Sequence, residues 1–326
     1  MPTLKPQSKL INADDMGNHF RDKVSIIRAA TASCEQPEII ERECYPLTTF
    51  EPVSIDEVTA MIRKTPARSC SLDPIPSWFV KKYPAIFAPV LCRLCNLSLA
   101  TGTLPKTLKC AIVRPRLKKP GLDPDAPQSY RPISNLSYIS KCVERIVCRR
   151  FISHADKHSL LPVRQSAYRR FHSTETAVLS VLNDLVRAVD SGHVTLLVML
   201  DLSAAFDTVD HEILLSVLQR RFSVTGGALD WFRSYLTDRE QYFSYAGLDT
   251  SRSGLDCCVP QGSVLGPAKF ISYIEDAEQI FERHNVREHQ FADDGQLYDS
   301  SSPDDISELR TRLSSCVGDV IRWCAQ

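Results

Sequence analysis

The chain of 326 residues contains no run of eighteen consecutive apolar residues and no apolar N-terminal signal. The first absence leaves no uninterrupted membrane span to point to, and the second no secretory leader. It also lacks an internal repeat and any low-complexity tract, so neither a solenoid nor a compositionally disordered chain is indicated. Net charge is missing too: 39 Lys and Arg balance 39 Asp and Glu. A uniformly basic nucleic-acid binder is thereby excluded. Twelve cysteines without a leader fit reduced thiols in the nucleus or cytoplasm better than a secreted disulfide scaffold. Cys92-x-x-Cys95 has no second pair at zinc spacing and falls in a helical pattern, which makes these two thiols core residues.

Apolar residues make up 43% of the chain, enough for a sizeable core in two domains or one multi-lobed unit. The charge, although balanced, is segregated. Between Leu104 and His172 fifteen Lys and Arg stand against four Asp and Glu, a net of +11, and the rest of the chain carries −11. A basic lobe beside an acidic one can track phosphates while holding cations elsewhere.

Residues 1–50 have no strong periodicity and read as a linker or arm. Ser54-Ile-Asp-Glu57 is a capping box that opens a helix ending before Pro66. A second helix spans Pro84 to Thr101 with Gly102 as its stop. Ala111–Arg116 is extended, with Pro115 and Pro120 suited to an edge or loop. Helices follow over Tyr138–Phe151, with Lys141, Arg145 and Arg149 turned outward, and over Ser173–Asp190. Residues 194–200 form a continuous apolar run, the mark of a strand buried on both faces. Helices near Asp210–Phe222 and Ala228–Thr237 precede strand material at Glu240–Ala246. Glu288 to Tyr298 reads as strand–turn–strand, and Ser302-Pro303 opens a last helix carrying Ile306, Leu309, Leu313, Val317 and Ile321.

Asp201 stands where the apolar strand emerges, and Phe291-Ala-Asp293-Asp294 places two further carboxylates at the tip of the later turn. Brought together, three carboxylates repel one another unless cations hold them. Hard divalent ions take oxygen ligands, and two of them about 3.5–4 Å apart can clamp both oxygens of an in-line phosphoryl transfer. A lone Asp-Asp turn is more often simply solvated, so the neighbouring blocks carry the inference.

Those blocks are Leu104-Pro-Lys-Thr-Leu-Lys-Cys-Ala-Ile-Val-Arg-Pro-Arg-Leu-Lys-Lys-Pro-Gly121, Tyr130-Arg-Pro-Ile-Ser-Asn-Leu-Ser137 with Lys141 and Glu144, and Gln165-Ser-Ala-Tyr-Arg-Arg-Phe-His-Ser-Thr174. After the run Asp201 to His211 come Trp231-Phe-Arg-Ser-Tyr-Leu236 with Arg239 and Gln241, then Val259-Pro-Gln-Gly-Ser-Val-Leu-Gly-Pro267 and the 291–294 turn. In order and content they resemble the reverse transcriptases of non-LTR (LINE-type) retrotransposons over roughly residues 50–326.

The resemblance implies an α+β fold, a right-hand polymerase with fingers and an antiparallel palm sheet backed by helices. The expected parts are an N-terminal arm and helical extension (1–103), a fingers-like basic region (104–193) and a palm (194–326), with the chain stopping before a thumb. It implies an RNA-directed DNA polymerase using an RNA template, a DNA primer, dNTPs and two Mg²⁺ ions, or Mn²⁺, without a membrane. Asp201, Asp293 and Asp294 would be catalytic and metal-binding, joined by the backbone carbonyl of Leu202. Arg131, Lys118 or Lys119, Gln261 and Gly262 would meet the incoming nucleotide, and Phe206 would exclude a ribose 2′-hydroxyl unless it is an ordinary core ring. Arg169, Arg170, Lys141 and Arg145 would contact nucleic acid, although Arg169 and Arg170 could instead pin one lobe to the other. Asp207 and Asp210 are expected to cap the following helix.

Three departures from the family pattern stand out. Lys269 occupies a buried helical position that is usually apolar, where it must snorkel or destabilise. Cys258 replaces a glycine, and Phe291 a tyrosine. Without a thumb the chain is expected to bind primer–template weakly and to polymerise poorly or not at all. A relic that binds nucleic acid without polymerising it is the alternative; a Mg²⁺ nuclease would not need the Tyr130 and Pro260 blocks.

Overall fold

The structure, a computed structural model, describes residues 12–68, 70–202 and 204–326. Its helices are α1 (Ala13–Thr31), α2 (Ile55–Lys64), α3 (Ser77–Lys82), α4 (Pro84–Thr101), α5 (Tyr138–Lys157), α6 (Thr174–Asp190), α7 (His211–Arg220), α8 (Gly226–Leu236), α9 (Gly266–Tyr273), α10 (Glu278–Arg283) and α11 (Ile306–Cys324). The strands are β1 (Cys110–Leu117), β2 (Tyr130–Asn135), β3 (Val194–Asp201), β4 (Arg239–Tyr245), β5 (Leu248–Asp249), β6 (Ser253–Leu255), β7 (Arg287–Phe291) and β8 (Asp294–Ser301). The fold is mixed α+β.

Local chemistry sets most of these boundaries. Ser54 accepts the Glu57 amide at 3.1 Å to start α2, and Asp210 accepts those of Glu212 and Ile213 to start α7. Gly102, at φ +61°, ends α4 in a left-handed cap.

Two sheets result. In the first, β1 lies between β2 (antiparallel) and β4 (parallel), and β4 also pairs with β5 and β6. Pro115 is tolerated inside β1 because β4 pairs only with Cys110–Val113, leaving that side of the proline free. The second sheet is antiparallel, in the order β3-β8-β7. One face of it is sealed by α10 and α11 through Leu297, Phe281, Leu309, Leu313 and Cys316. The main core joins α2, α4, α5, α7, α8 and α9 around Trp231, Phe232, Tyr235, Phe151 and Phe222.

Several expectations need correction. Of residues 1–50, read as a linker or arm, the first eleven lie outside the described residues and the rest is packed structure. Asn12 caps the nineteen-residue α1 with a capping box, Phe20 stacks on Phe243 of β4, and Arg28 pairs with Asp210 at 3.1 Å. Beyond α1, Arg42 reaches Glu275, which Arg221 grips through two 2.8 Å bonds, and Phe50 packs edge-on against Trp231.

Strand β3 is not buried on both faces. It is an edge strand whose outer side chains Leu197 and Met199 are 46% and 73% exposed. An apolar run records hydrophobicity but cannot report which face a neighbour covers.

Helix α4 is, among the described residues, long and apolar enough by composition to cross a membrane. Its Ala88, Leu91, Cys95 and Leu99 are buried in the main core, while Ile86, Val90 and Leu97 are exposed.

Candidate active site

The antiparallel register fixes the centre of the site. Asp201, last residue of β3, is the direct cross-strand partner of Asp294, first residue of β8. Such partners have Cα atoms about 4.5–5.5 Å apart and side chains on one face. Phe291 pairs with Asp294 across the hairpin, so Ala292 and Asp293 are the two turn residues. Burial raises the Asp293 carboxyl, and the carboxylates of Asp294 and Asp201 raise it further; Arg131 pulls the other way. The three acids therefore lie within one another's field, and the expected arginine opposes them from β2.

This donor set suits a hard cation, because it is carboxylate-rich and incompletely neutralised. Among the described residues no three His, Cys, Asp or Glu are gathered tightly enough to hold a metal unaided.

The Val259–Pro267 loop docks against β2. The Gln261 carbonyl accepts the Ser134 amide at 2.7 Å. Gly262 has φ +114°, and a Cβ there would stand 2.6 Å from the Ser134 oxygen, so only glycine fits. Cys258, where the family pattern has glycine, is buried at φ +86°. Glu144 on α5, which follows the Tyr130 block, has a role that the motif alone does not disclose. Its carboxylate is fully buried and accepts the Val264 and Leu265 amides at 2.7 and 3.1 Å, fixing the entrance of α9. A Glu on the apolar side of a helical pattern was the available signal.

Other expected residues separate into groups. Lys118 and Lys119 are exposed in the bend that follows β1, and Arg131 is exposed on β2. Arg170 is exposed and lies over the Phe171 ring at 4.5 Å. Tyr168 is 61% exposed, and its hydroxyl is raised by partial burial and then by the Asp293 carboxylate. Arg169 does not reach outward: its guanidinium donates to the Pro162 and Gln165 carbonyls at 2.6 and 3.3 Å. Lys141 is half-buried. Arg145, expected to face solvent, has Nη1 buried without a partner.

The half-buried Phe206 ring stacks on buried Phe270, centroids 4.4 Å apart, and the residue packs against the main core. At least one face of the ring is thus a core face. Leu202 is half-buried against the same core. Asp210 caps α7 as expected, but Asp207 does not; burial raises its carboxyl to about 6, with Lys23 opposing. Lys269 does not snorkel. It is fully buried, with Nζ 3.7 Å from the Tyr235 ring centre and no hydrogen-bond partner.

A family model for reverse transcriptase (RNA-dependent DNA polymerase) matches residues 117–326. Among curated proteins, the chain is 28% identical over 324 residues to the probable RNA-directed DNA polymerase from transposon BS of Drosophila melanogaster, covering 96% of this chain and 35% of that protein. It is 30% identical over 235 residues to the probable RNA-directed DNA polymerase from transposon X-element of the same organism, covering 72% of this chain and 25% of that protein. With the RNA-directed DNA polymerase from mobile element jockey of Drosophila melanogaster it shares 28% over 250 residues, 76% of this chain and 27% of that protein. The chain thus spans about a third or less of the length of these relatives.

Proposed function

The chain belongs to the reverse transcriptase family, and from that premise we propose that it extends a DNA primer with dNTPs on an RNA template. The observation that carries this reading is the Asp201–Asp294 cross-strand pair with Asp293 at the adjoining turn. The β3-β8-β7 sheet would be the palm, and the β1–β2 region with its basic surroundings the fingers. Asp201, Asp293 and Asp294, with the Leu202 carbonyl, would hold Mg²⁺ or Mn²⁺, which when bound acidifies a primer 3′-hydroxyl and neutralises leaving pyrophosphate.

The protein's own groups do the positioning. Arg131, exposed and within the field of Asp293, would grip the triphosphate through its planar fork. Lys118 and Lys119 would add charge there. Gly262 would let backbone approach the nucleotide, with Gln261 beside it. Phe206 would stand against a 2′-hydroxyl while Phe270 braces it from below. Arg170 and Phe171 offer charge and a ring to a single strand, with Lys141 on α5. A nuclear or cytoplasmic location, where the twelve cysteines would stay reduced, is part of this proposal.

The test is Mg²⁺-dependent extension of oligo(dT) on poly(rA), with Asp293→Asn as control. Weak, non-processive extension that the control abolishes is the expected result. Binding of the duplex without any extension, unchanged in Asp293→Asn, would instead favour a protein that only binds nucleic acid.

A further inference from the structure

The hairpin that presents Asp293 and Asp294 lacks the residue its geometry asks for. Two-residue hairpin turns use left-handed backbone at the first loop position and strongly prefer Gly, Asn or Asp there. Here Ala292 takes that position at φ +58°, and Asp293 is not left-handed. Nothing local favours the conformation. Three crowded carboxylates oppose it as well, since burial and mutual repulsion act on Asp293.

What holds the turn comes from 127 residues away in sequence. Gln165 is fully buried. Its Oε1 accepts the Ala292 amide at 2.9 Å and the Ala167 amide at 3.0 Å. Its Nε2 donates to the Ala292 carbonyl and to Gln290 Oε1, both at 3.4 Å. The side chain thus grasps both polar groups of the one left-handed residue. Only one orientation of the amide fits, because both neighbours of Oε1 are N–H donors. The backbone on either side of Gln165 is fixed in turn: the Gln290 amide donates to the Arg164 carbonyl at 3.0 Å, and the Ser166 amide to the Gln290 carbonyl at 2.9 Å. Residues 164–166 therefore lie along the free edge of β7 as a short extra strand, with Gln165 and Gln290 bridged in parallel.

We propose that Gln165 is a positioning residue that imposes the left-handed turn at Ala292 and so sets the spacing of Asp293 and Asp294 for divalent-cation binding. The inference rests on the carboxylate reading above. Gln165 touches neither substrate nor metal; it acts through Ala292. Outer partners of this kind typically change metal affinity by roughly 10–100-fold when removed.

The experiment measures Mn²⁺ affinity by electron paramagnetic resonance on the full chain, together with amide hydrogen exchange at Ala292. Wild type, Gln165→Met, Ala292→Gly, the Gln165→Met/Ala292→Gly double variant and Asp293→Asn are compared. Gln165→Met should weaken Mn²⁺ by roughly tenfold or more and free the Ala292 amide to exchange. Ala292→Gly, which removes the steric objection to positive φ, should recover much of that loss in the double variant. A plain packing role predicts no such rescue. If Gln165→Met keeps wild-type Mn²⁺ affinity, or the glycine fails to rescue, the proposal is overturned. Should Gln165→Met not fold, the wild-type protein still decides, because an Ala292 amide exchanging at open-loop rates contradicts the clamp. Equal Mn²⁺ binding by wild type and Asp293→Asn would sink the carboxylate reading itself, a different outcome from loss in Asp293→Asn with none in Gln165→Met.

Discussion

Asp201 and Asp294 face each other directly across the β3–β8 ladder, two like charges in the position where a sheet places its closest neighbours. Directly opposed like charges destabilise a strand pair by roughly 0.2–1 kcal/mol. Asp294→Asn should therefore raise Tm by about 1–3 °C in chelator while abolishing primer extension. Millimolar Mg²⁺ should shrink or reverse that difference, because it would stabilise only the protein with its carboxylates intact. Calorimetry with and without Mg²⁺ decides; a lower Tm for the variant in chelator would contradict the account.

Lys269 provides a second test. Burial, with Arg239 nearby, drives its amine well below the usual 10.5, so the folded chain holds one proton fewer than the unfolded chain. Stability must then rise with pH, by about 1.4 kcal/mol per unit, between the depressed value and 10.5. Lys269→Met should remove that slope and stabilise the fold by about 1–4 kcal/mol near neutrality. Denaturant melts from pH 6 to 9 read both effects, and parallel curves for the two proteins would refute the claim.

Glu288 runs in the opposite sense. Burial lifts its carboxyl from 4.5 to about 7, so the folded state binds the extra proton. The associated stability is present below about pH 4.5 and lost as pH rises through about 7, up to about 3 kcal/mol in all. Glu288→Gln should match wild type in acid and exceed it above pH 7. Melting temperatures across that window test the sign.

Phe206→Val should raise ribonucleotide incorporation relative to deoxynucleotide. It also removes an aromatic stack worth about 0.5–1.5 kcal/mol, so a stability loss alone reports only the Phe270 contact. Competition between dNTP and rNTP in single-nucleotide extension separates the two. An unchanged ratio would leave Phe206 as a core ring.

The carboxylate hairpin was legible because its evidence is local: an apolar run ending in Asp201, and a short strand–turn–strand ending at Tyr298. Caps at Ser54, Asp210 and Gly102 were readable for the same reason. Helix α1 was not. Its anchors are Phe20 on Phe243 and Arg28 on Asp210, partners about two hundred residues away, and its own polar surface gives little periodic signal. The destinations of Arg169 and Arg145 were equally hidden, since a basic residue looks the same in sequence whether it meets solvent or a neighbouring carbonyl. Lys269 stands out in the sequence as a conflict, yet whether it snorkels depends on rings at Tyr235 and Phe232 that close around it.

The parallel pairing of β1 with β4 has a consequence for the order in which the chain can assemble. Ala111 aligns with Gln241, and a ribosome adding 5–20 residues per second needs about 7–26 s to make the roughly 130 residues between them. Through that interval β1 can zip onto β2, which follows closely, but its other edge at Cys110–Val113 waits unpaired. Those residues are apolar and finally buried or half-buried, and an open apolar edge invites pairing with another chain. Nascent protein should therefore be most vulnerable to misassembly after β2 has emerged and before β4 has, a window that holdase chaperones are suited to cover.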